Sequence, residues 1–265
     1  MTSGRRAPAG TGKARSARPG LGGAQVEGRR AVRELLAARR RRALDVWLAD
    51  GAEGAPVLDE IVELAAAAAV PVRRMGRGRL DAEARTEAHQ GVLAHAVPLQ
   101  EVDLAALCRP PTGAPRPFLL VVDRVTDPHN LGALLRTAEV AGATGAVLPR
   151  HRAAHVTPTV TKAAAGAIEY LPLAVVPGVP GALAQLAEHG VWTVGLDPAA
   201  SRRVHELEVA TEPIALVVGA EGAGLAPLTR ARCEVLVSVP QHGHVASLNV
   251  GAAAAVAMFE IARRR

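Results

Sequence analysis

Hydrophobic and polar positions alternate along most of this chain in two patterns, and the patterns change at identifiable places. Residues 24–98 predict a small α/β module. A helix spans roughly 27–40, with Val32, Leu35 and Leu36 apolar and arginines on the opposite face. ALDVWLA at 43–49 alternates as a strand does, PVLDEIVELAAAAA at 56–69 is helical and ends before Pro71, and VLAHAV at 92–97 is a second strand. From 118 onward the strands read differently. FLLVV (118–122), AVL (146–148), LAVV (173–176), VWTVG (191–195), IALVVG (214–219) and VLVSV (235–239) are several times apolar along their whole length. That is the mark of a parallel sheet buried on both faces. Helical segments at 131–141, 157–167, 181–189, 225–232 and 247–263 separate these strands, so a doubly covered, mostly parallel sheet is expected. Between the two units, 99–117 holds a short helical piece and then RPPTGAPRP, which reads as a linker with the domain boundary near 110–117. Residues 1–22 are Gly, Pro, Ala, Ser and Arg with almost nothing to bury, and are expected to be disordered.

Charge adds a partner to this picture. Residues 1–42 carry a balance of +10 and residues 43–265 a balance of −4. A basic arm on a body without positive excess fits a polyanion, most simply nucleic acid. The five aromatic residues are too few for an RNA reader built on stacking platforms. Cys108 and Cys233 are far apart and form no CxxC, which argues against a disulfide scaffold or a zinc knuckle. No apolar run approaches about 18 residues, so no membrane span is expected. The N-terminus lacks the apolar core of a signal peptide, and a cytoplasmic protein is the default.

Three segments of the larger unit carry candidate chemistry. In DRVTDPHNLGALLRTAEVAGA (123–143) a buried strand opens into a helix, with Asn130 as a candidate cap and Arg136 two turns in. Such a junction presents free backbone N–H groups suited to an anion. In VVGAEGAGL (217–225) a strand runs into Gly219, Gly222 and Gly224, which lets a ligand approach the backbone. The dinucleotide fingerprint GxGxxG is absent because Pro227 stands where the third glycine belongs, and this argues against a dehydrogenase. In VPQHGHVASLNVGAAAAVAMFE (239–260) Ser247 is a candidate helix cap, Asn249 follows, and the Ala/Gly-rich helix allows close packing within the chain or across a dimer. His129, His242 and His244 have no acidic or cysteine partner at a familiar spacing, so no metal is expected.

The order of these segments resembles the SpoU (TrmH) family of RNA ribose methyltransferases. Asn130-Leu131-Gly132-Ala133-Leu134-Leu135-Arg136-Thr137-Ala138 matches its first motif and Gly219-Ala220-Glu221-Gly222-Ala223-Gly224-Leu225 its second. Val239-Pro240 with Ser247-Leu248-Asn249-Val250 match its third. Glu27-Gly28-x-x-Ala31-Val32 and His89-Gln90-Gly91-Val92 resemble the substrate-binding module of rRNA-directed members. The resemblance spans roughly 24–265, and is greatest to bacterial 23S rRNA guanosine-2′-O-methyltransferases. It departs at Gly251, where relatives often carry Ser, and at His242 and His244, where small residues are common.

The resemblance implies a knotted SPOUT methyltransferase domain over 118–265 and a smaller L30e-like module over 23–98. It also implies a homodimer, S-adenosylmethionine as methyl donor and RNA as acceptor. It assigns Asn130, Arg136, Glu221, Ser247 and Asn249 to catalysis. It assigns Gly219, Val239 and Leu248, with their neighbours Val218, Ala220 and Gly224, to the cofactor. Two roles for Arg136 stay open: general base, which is awkward for a group with a pKa above about 12, or a clamp on a neighbouring phosphate. A tRNA or resistance-type rRNA methyltransferase and an inactive RNA-binding scaffold are the alternatives. On this reading a fragment starting near Pro115 is expected to fold, dimerise and bind S-adenosylmethionine while binding RNA weakly.

Overall fold

The computed structural model describes residues 21–51, 55–86, 88–244 and 248–265. Its larger unit is a six-stranded sheet whose pairs are all parallel, in the order β10-β8-β9-β5-β6-β7. The strands are β5 Phe118–Val122, β6 Gly145–Pro149, β7 Leu173–Val176, β8 Trp192–Leu196, β9 Ile214–Val218 and β10 Val235–Val237. All five residues of β5, β6 and β9 are buried, as expected for strands covered on both sides.

The two faces are separated by the period-2 alternation of β5. Phe118, Leu120 and Val122 join one core with residues of α5 (Pro128–Val140), α6 (Pro158–Ala163) and α9 (Val250–Arg263). Leu119 and Val121 join the other, with α4 (Leu104–Cys108) and α7 (Val179–Glu188). The short helix α4 therefore belongs to the core of this unit rather than to a connecting segment, because Leu104, Leu107 and Cys108 are buried in it. α8 (Pro227–Arg232) completes the set.

The smaller unit is a four-stranded mixed sheet in the order β1-β4-β2-β3. Its strands are β1 Gln25–Glu27, β2 Ala43–Ala49, β3 Val72–Met75 and β4 Val92–Ala96. Val46 and Leu48 of β2 face α1 (Arg29–Ala38) and α2 (Pro56–Ala67). Trp47 and Ala49 face the other side, where Leu80 of α3 (Arg77–Glu83) is buried. β1, β3 and α3 escape the sequence pattern. β1 is three residues long, β3 exposes Arg73 and Arg74, and α3 buries only Leu80. The helix expected at 157–167 stops at Ala163; Ala165 (φ 51°) and Gly166 (φ 87°) turn the chain into a short 3₁₀ segment. Leu21 and Gly22, assigned to the tail by composition, are buried, and Leu21 pairs with Leu99. Residues 1–20 lie outside the described residues.

The two units meet through a buried ion pair. Arg41 donates from Nε to Glu169 Oε2 at 3.1 Å and from Nη2 to Oε1 at 2.6 Å. Its Nη1 reaches the Gly23 carbonyl at 3.0 Å. The side chains are 3% and 0% exposed. Lys162 Nζ donates to Thr86 Oγ1, and the Tyr170 hydroxyl donates to Glu34. Among the described residues no helix is long and apolar enough to cross a membrane.

Candidate functional site

The site is built at the C-terminal ends of β5 and β9, where ligands gather in open parallel sheets. Asp127 caps α5 by accepting from the His129 N–H at 2.9 Å, and Pro128 occupies the first helical position, which needs no N–H donor. The cap is therefore Asp127 and not Asn130, which stands inside the first turn with its amide turned away from the helix backbone. Asn130 Nδ2 donates to Glu221 Oε2 at 2.8 Å. Asn249 Nδ2 donates to Asn130 Oδ1 at 3.1 Å and approaches the same Glu221 oxygen at 3.4 Å. Asn249 also caps α9, its Oδ1 accepting from Gly251 N at 2.9 Å. Asn249 takes the cap expected of Ser247, which lies outside the described residues. A Cβ on Gly251 would come within 3.1 Å of that Asn249 oxygen. The glycine here thus leaves the Asn249 side chain room to sit between its helix and Glu221.

The glycine-rich loop folds back on itself. Ala220 N donates to the Gly224 carbonyl at 3.1 Å, and Gly224 N to the Ala220 carbonyl at 2.8 Å. Gly222 and Gly224 turn the chain with φ of 73° and 64°. A Cβ at Gly219 would collide with the Gly224 backbone. Asp123, 4% exposed, fastens the far end by accepting from Ala226 N at 2.7 Å, and its own N–H donates to the Val218 carbonyl. Asp123 is not among the residues the motifs single out; its signal in the sequence is a carboxylate placed directly after a wholly apolar strand.

Beside this loop lies a cavity of about 260 Å³, a little under the roughly 300–1,000 Å³ usual for small-molecule sites. All six residues singled out for a cofactor line it: Val218, Gly219, Ala220, Gly224, Val239 and Leu248. So do Glu221, Leu196, Leu225 and the Asp197–Arg230 ion pair. Burial pushes the Asp197 carboxyl up, but the hydrogen bond from Arg230 and the N–H of Ala199 outweigh it and leave the pKa below the ordinary value. The wall is therefore apolar side chain and backbone amide, with one compensated charge pair and the carboxylate of Glu221. That donor set suits a flat heterocycle with polar edges.

Arg136 is elsewhere. It lies six residues beyond Asn130, about 9 Å further along α5 and roughly 120° around it. It is exposed and opens onto a second cavity, of about 530 Å³, between the two units. Within one chain the structure thus joins Asn130, Glu221 and Asn249 and leaves Arg136 apart. The other wall of this cavity is made by the two motifs of the smaller unit. Glu27 is fully buried and accepts from Gln25 Nε2, the N–H groups of Arg85 and Thr86, and the Thr86 hydroxyl. Gln90, in the left-handed region at φ 56°, accepts from Arg29 N at its side-chain oxygen and from Arg29 Nε at its carbonyl, both at 3.0 Å. His89 Nδ1 accepts from Gly91 N, so its Nε2–H faces Asp81 at 2.6 Å. His242 and His244 are exposed, and among the described residues no three His, Cys, Asp or Glu side chains gather as metal ligands would.

Comparison with known proteins gives this geometry a lineage. Residues 117–259 match the model of the SpoU rRNA Methylase family, and residues 25–102 match that of RNA 2′-O ribose methyltransferase substrate binding. The chain is 41% identical over 244 residues to the 23S rRNA (guanosine-2′-O-)-methyltransferase RlmB of Pseudomonas putida, covering 91% of this chain and 96% of that one. It is 39% identical to the protein of that name from Haemophilus influenzae, over 91% and 98%. The crystal structure of the SpoU methyltransferase AviRb from Streptomyces viridochromogenes, in complex with the cofactor AdoMet, superimposes with a TM-score of 0.73 at 25% identity, over 91% of this chain and 89% of that one. With both of its units matched in order and relatives aligned nearly end to end, the chain belongs to the SpoU rRNA methylase family.

Proposed function

We propose that this protein transfers a methyl group from S-adenosylmethionine to a ribose 2′-hydroxyl of RNA, the acceptor being a guanosine of 23S rRNA. The observation that carries the reading is the double engagement of Glu221. It lines the cavity with the six expected cofactor residues and is also bonded by Asn130 and Asn249. The backbone of the folded loop and the apolar side chains of Leu196, Leu225 and Leu248 would hold the adenosine part. When bound, the cofactor supplies a methyl group on a positively charged sulfur.

The chain's own residues then have three tasks. The folded loop, pinned by Asp123 and by its own two hydrogen bonds, keeps the cavity shaped before any ligand arrives. Glu221, held by two amides, fixes the orientation of Asn130 and Asn249 toward the acceptor. Arg136, exposed and with no described residue paired to it, grips the phosphate next to the target ribose. That phosphate orients the hydroxyl and accepts its proton. The reading includes the knotted SPOUT topology, the L30e-like character of the smaller unit, a homodimer and the cytoplasm as compartment. Support for the topology is the strand order: the chain leaving β9 crosses β8 to reach β10, then returns as α9 against α5. Support for the dimer is the exposure of Val140, Val256 and Phe259, at 62%, 45% and 49%, on those two adjacent helices. A partner docked there brings a second Arg136 close to the joint, which reconciles its distance from Glu221 with its role.

The test is transfer of labelled methyl from S-adenosylmethionine to a 23S rRNA fragment, with the product mapped by resistance to alkaline cleavage. One alkali-resistant guanosine linkage is expected. No transfer, or a methylated base in place of a ribose, overturns the reading.

A further inference from the structure

The cavity that holds Arg136 has a property the transfer reaction does not by itself require. It is open, it lies between the two units, and its charge is one-sided. Among the described residues Arg29, Arg30, Arg136 and Lys162 line it, and Glu27 is the one acid. Glu27 is fully buried and its carboxylate is taken by four neutral donors from Gln25, Arg85 and Thr86, so its single negative charge stands against the four cations without bonding any of them. Arg30 and Arg136 are exposed, and no described residue pairs with either guanidinium. Arg29 gives its Nε–H to the Gln90 carbonyl, and no described residue accepts from the outer edge of its fork. Lys162 lies along Gly28, where a Cβ would come within 3.5 Å of its stem, and its ammonium group keeps two donors beyond the bond to Thr86. Among the described residues no aromatic side chain lines the cavity, so it offers no ring on which to stack a base.

An excess of cations without an aromatic platform suits the phosphates of a nucleic-acid backbone first. We infer that this cleft seats RNA phosphates flanking the methylated ribose, with Arg29, Arg30 and Lys162 as positioning residues beside Arg136. The inference rests on the RNA-methyltransferase reading and deepens it. It also explains the two motifs of the smaller unit in physical terms. Glu27 and the His89–Gly91 turn are not reader groups. They build the wall that aims Arg29 and Lys162 across the cleft at the unit carrying Arg136. Grip on the backbone is sequence-blind, so choice of nucleotide belongs to other surfaces of the smaller unit.

The experiment measures binding of a 23S rRNA fragment at several salt concentrations, and methyl transfer to it, for the full chain and for Arg30→Gln, Lys162→Gln, Lys162→Arg and Arg232→Gln. Each neutralisation in the cleft should lower the salt slope of binding by about 0.7–0.9, the share of one phosphate contact. It should raise KM for RNA about tenfold, with a smaller effect on kcat and none on S-adenosylmethionine affinity. Lys162→Arg should restore KM. Arg232→Gln, which removes an exposed charge on α8 outside the cleft, should leave the slope as it was. An unchanged slope and KM in both Arg30→Gln and Lys162→Gln overturns the inference while the enzyme's activity stands. If the full chain transfers no methyl to rRNA, the activity reading falls, and the binding slopes still decide the cleft. The Arg30 side chain is exposed and forms no hydrogen bond or ion pair with a described residue, so Arg30→Gln remains a fair test even if Lys162→Gln unfolds.

Discussion

Replacing Glu169 with Gln should destabilise the whole protein more than any surface change. Glu169 is fully buried and accepts both forks of Arg41, itself 3% exposed, across the joint between the two units. The glutamine keeps the shape and one acceptor oxygen, but it removes the counter-charge and turns an NH2 donor toward a buried guanidinium N–H. Breaking a buried pair in this way costs about 3–5 kcal/mol. At about 2–4 °C per kcal/mol for a chain of this size, the midpoint of thermal unfolding should fall by roughly 6–20 °C. Arg41→Met should cost a similar amount by stranding the carboxylate. The double variant Arg41→Met/Glu169→Leu removes both charges, and its cost should be much smaller than the sum, since apolar replacement of a whole buried pair is often near neutral. The assay is urea unfolding followed by circular dichroism, with wild type, Arg41→Met, Glu169→Leu and their double variant read as a double-mutant cycle and Glu169→Gln measured beside them. Below about 1 kcal/mol for Glu169→Gln, or with costs that simply add in the double variant, the pair is not what locks the units together.

Arg136→Ala should retain S-adenosylmethionine affinity by calorimetry and lose at least about a hundredfold in methyl transfer, within the range of a general acid–base or positioning contribution. Gly219→Ala should act in the opposite sense. Its Cβ collides with the Gly224 backbone, so the loop must reopen, and cofactor affinity should fall about a hundredfold in the same measurement. Thiol burial sets an alkaline limit. Burial and then Asp123 push Cys233 up to about 12, and burial raises Cys108 as well. The unfolded chain loses these protons near pH 9 while the folded chain keeps them. Their contribution to stability is therefore complete below pH 9 and declines from there toward pH 12, which urea midpoints at pH 8 and 10 would show. A fragment starting at Pro115 should fail to fold stably, contrary to the expectation from composition. It lacks α4, whose Leu104 and Leu107 complete one core, and it strands Glu169. Adding Arg41's partner change, Glu169→Leu, to a fragment starting at Glu101 should restore cooperative melting.

What the sequence disclosed followed from burial. The fully apolar strands β5, β6 and β9 announced a two-sided parallel sheet because every residue in them is inside. The elements it hid are those with little to bury: β3 keeps two arginines outside, and α3 commits only Leu80. Tail and linker were overdrawn for the converse reason. Leu21 and α4 are short apolar islands among Gly and Pro, and only the tertiary structure shows them to be covered. At the site, residue types were legible and the partition between two cavities was not. Asn130 and Arg136 share a motif, but the helix turns Asn130 to Glu221 of one cavity and Arg136 into the other. The Asp127 cap was hidden by its neighbour, since Pro128 moves the helix start two residues before Asn130.

The position of β9 also governs how the chain is made. It lies between β5 and β8, and both of those strands leave the ribosome before it does. Phe118 of β5 must wait for Ile214 before it has a partner on that edge. Until then two apolar strand edges stand open on the nascent polypeptide, a state that invites mispairing and capture by chaperones. Such distant pairing implies slow folding. The glycine-rich loop follows β9 directly, so the cavity takes shape only when this last central strand slots in. A growing chain is thus unable to bind its small-molecule ligand until synthesis is nearly over.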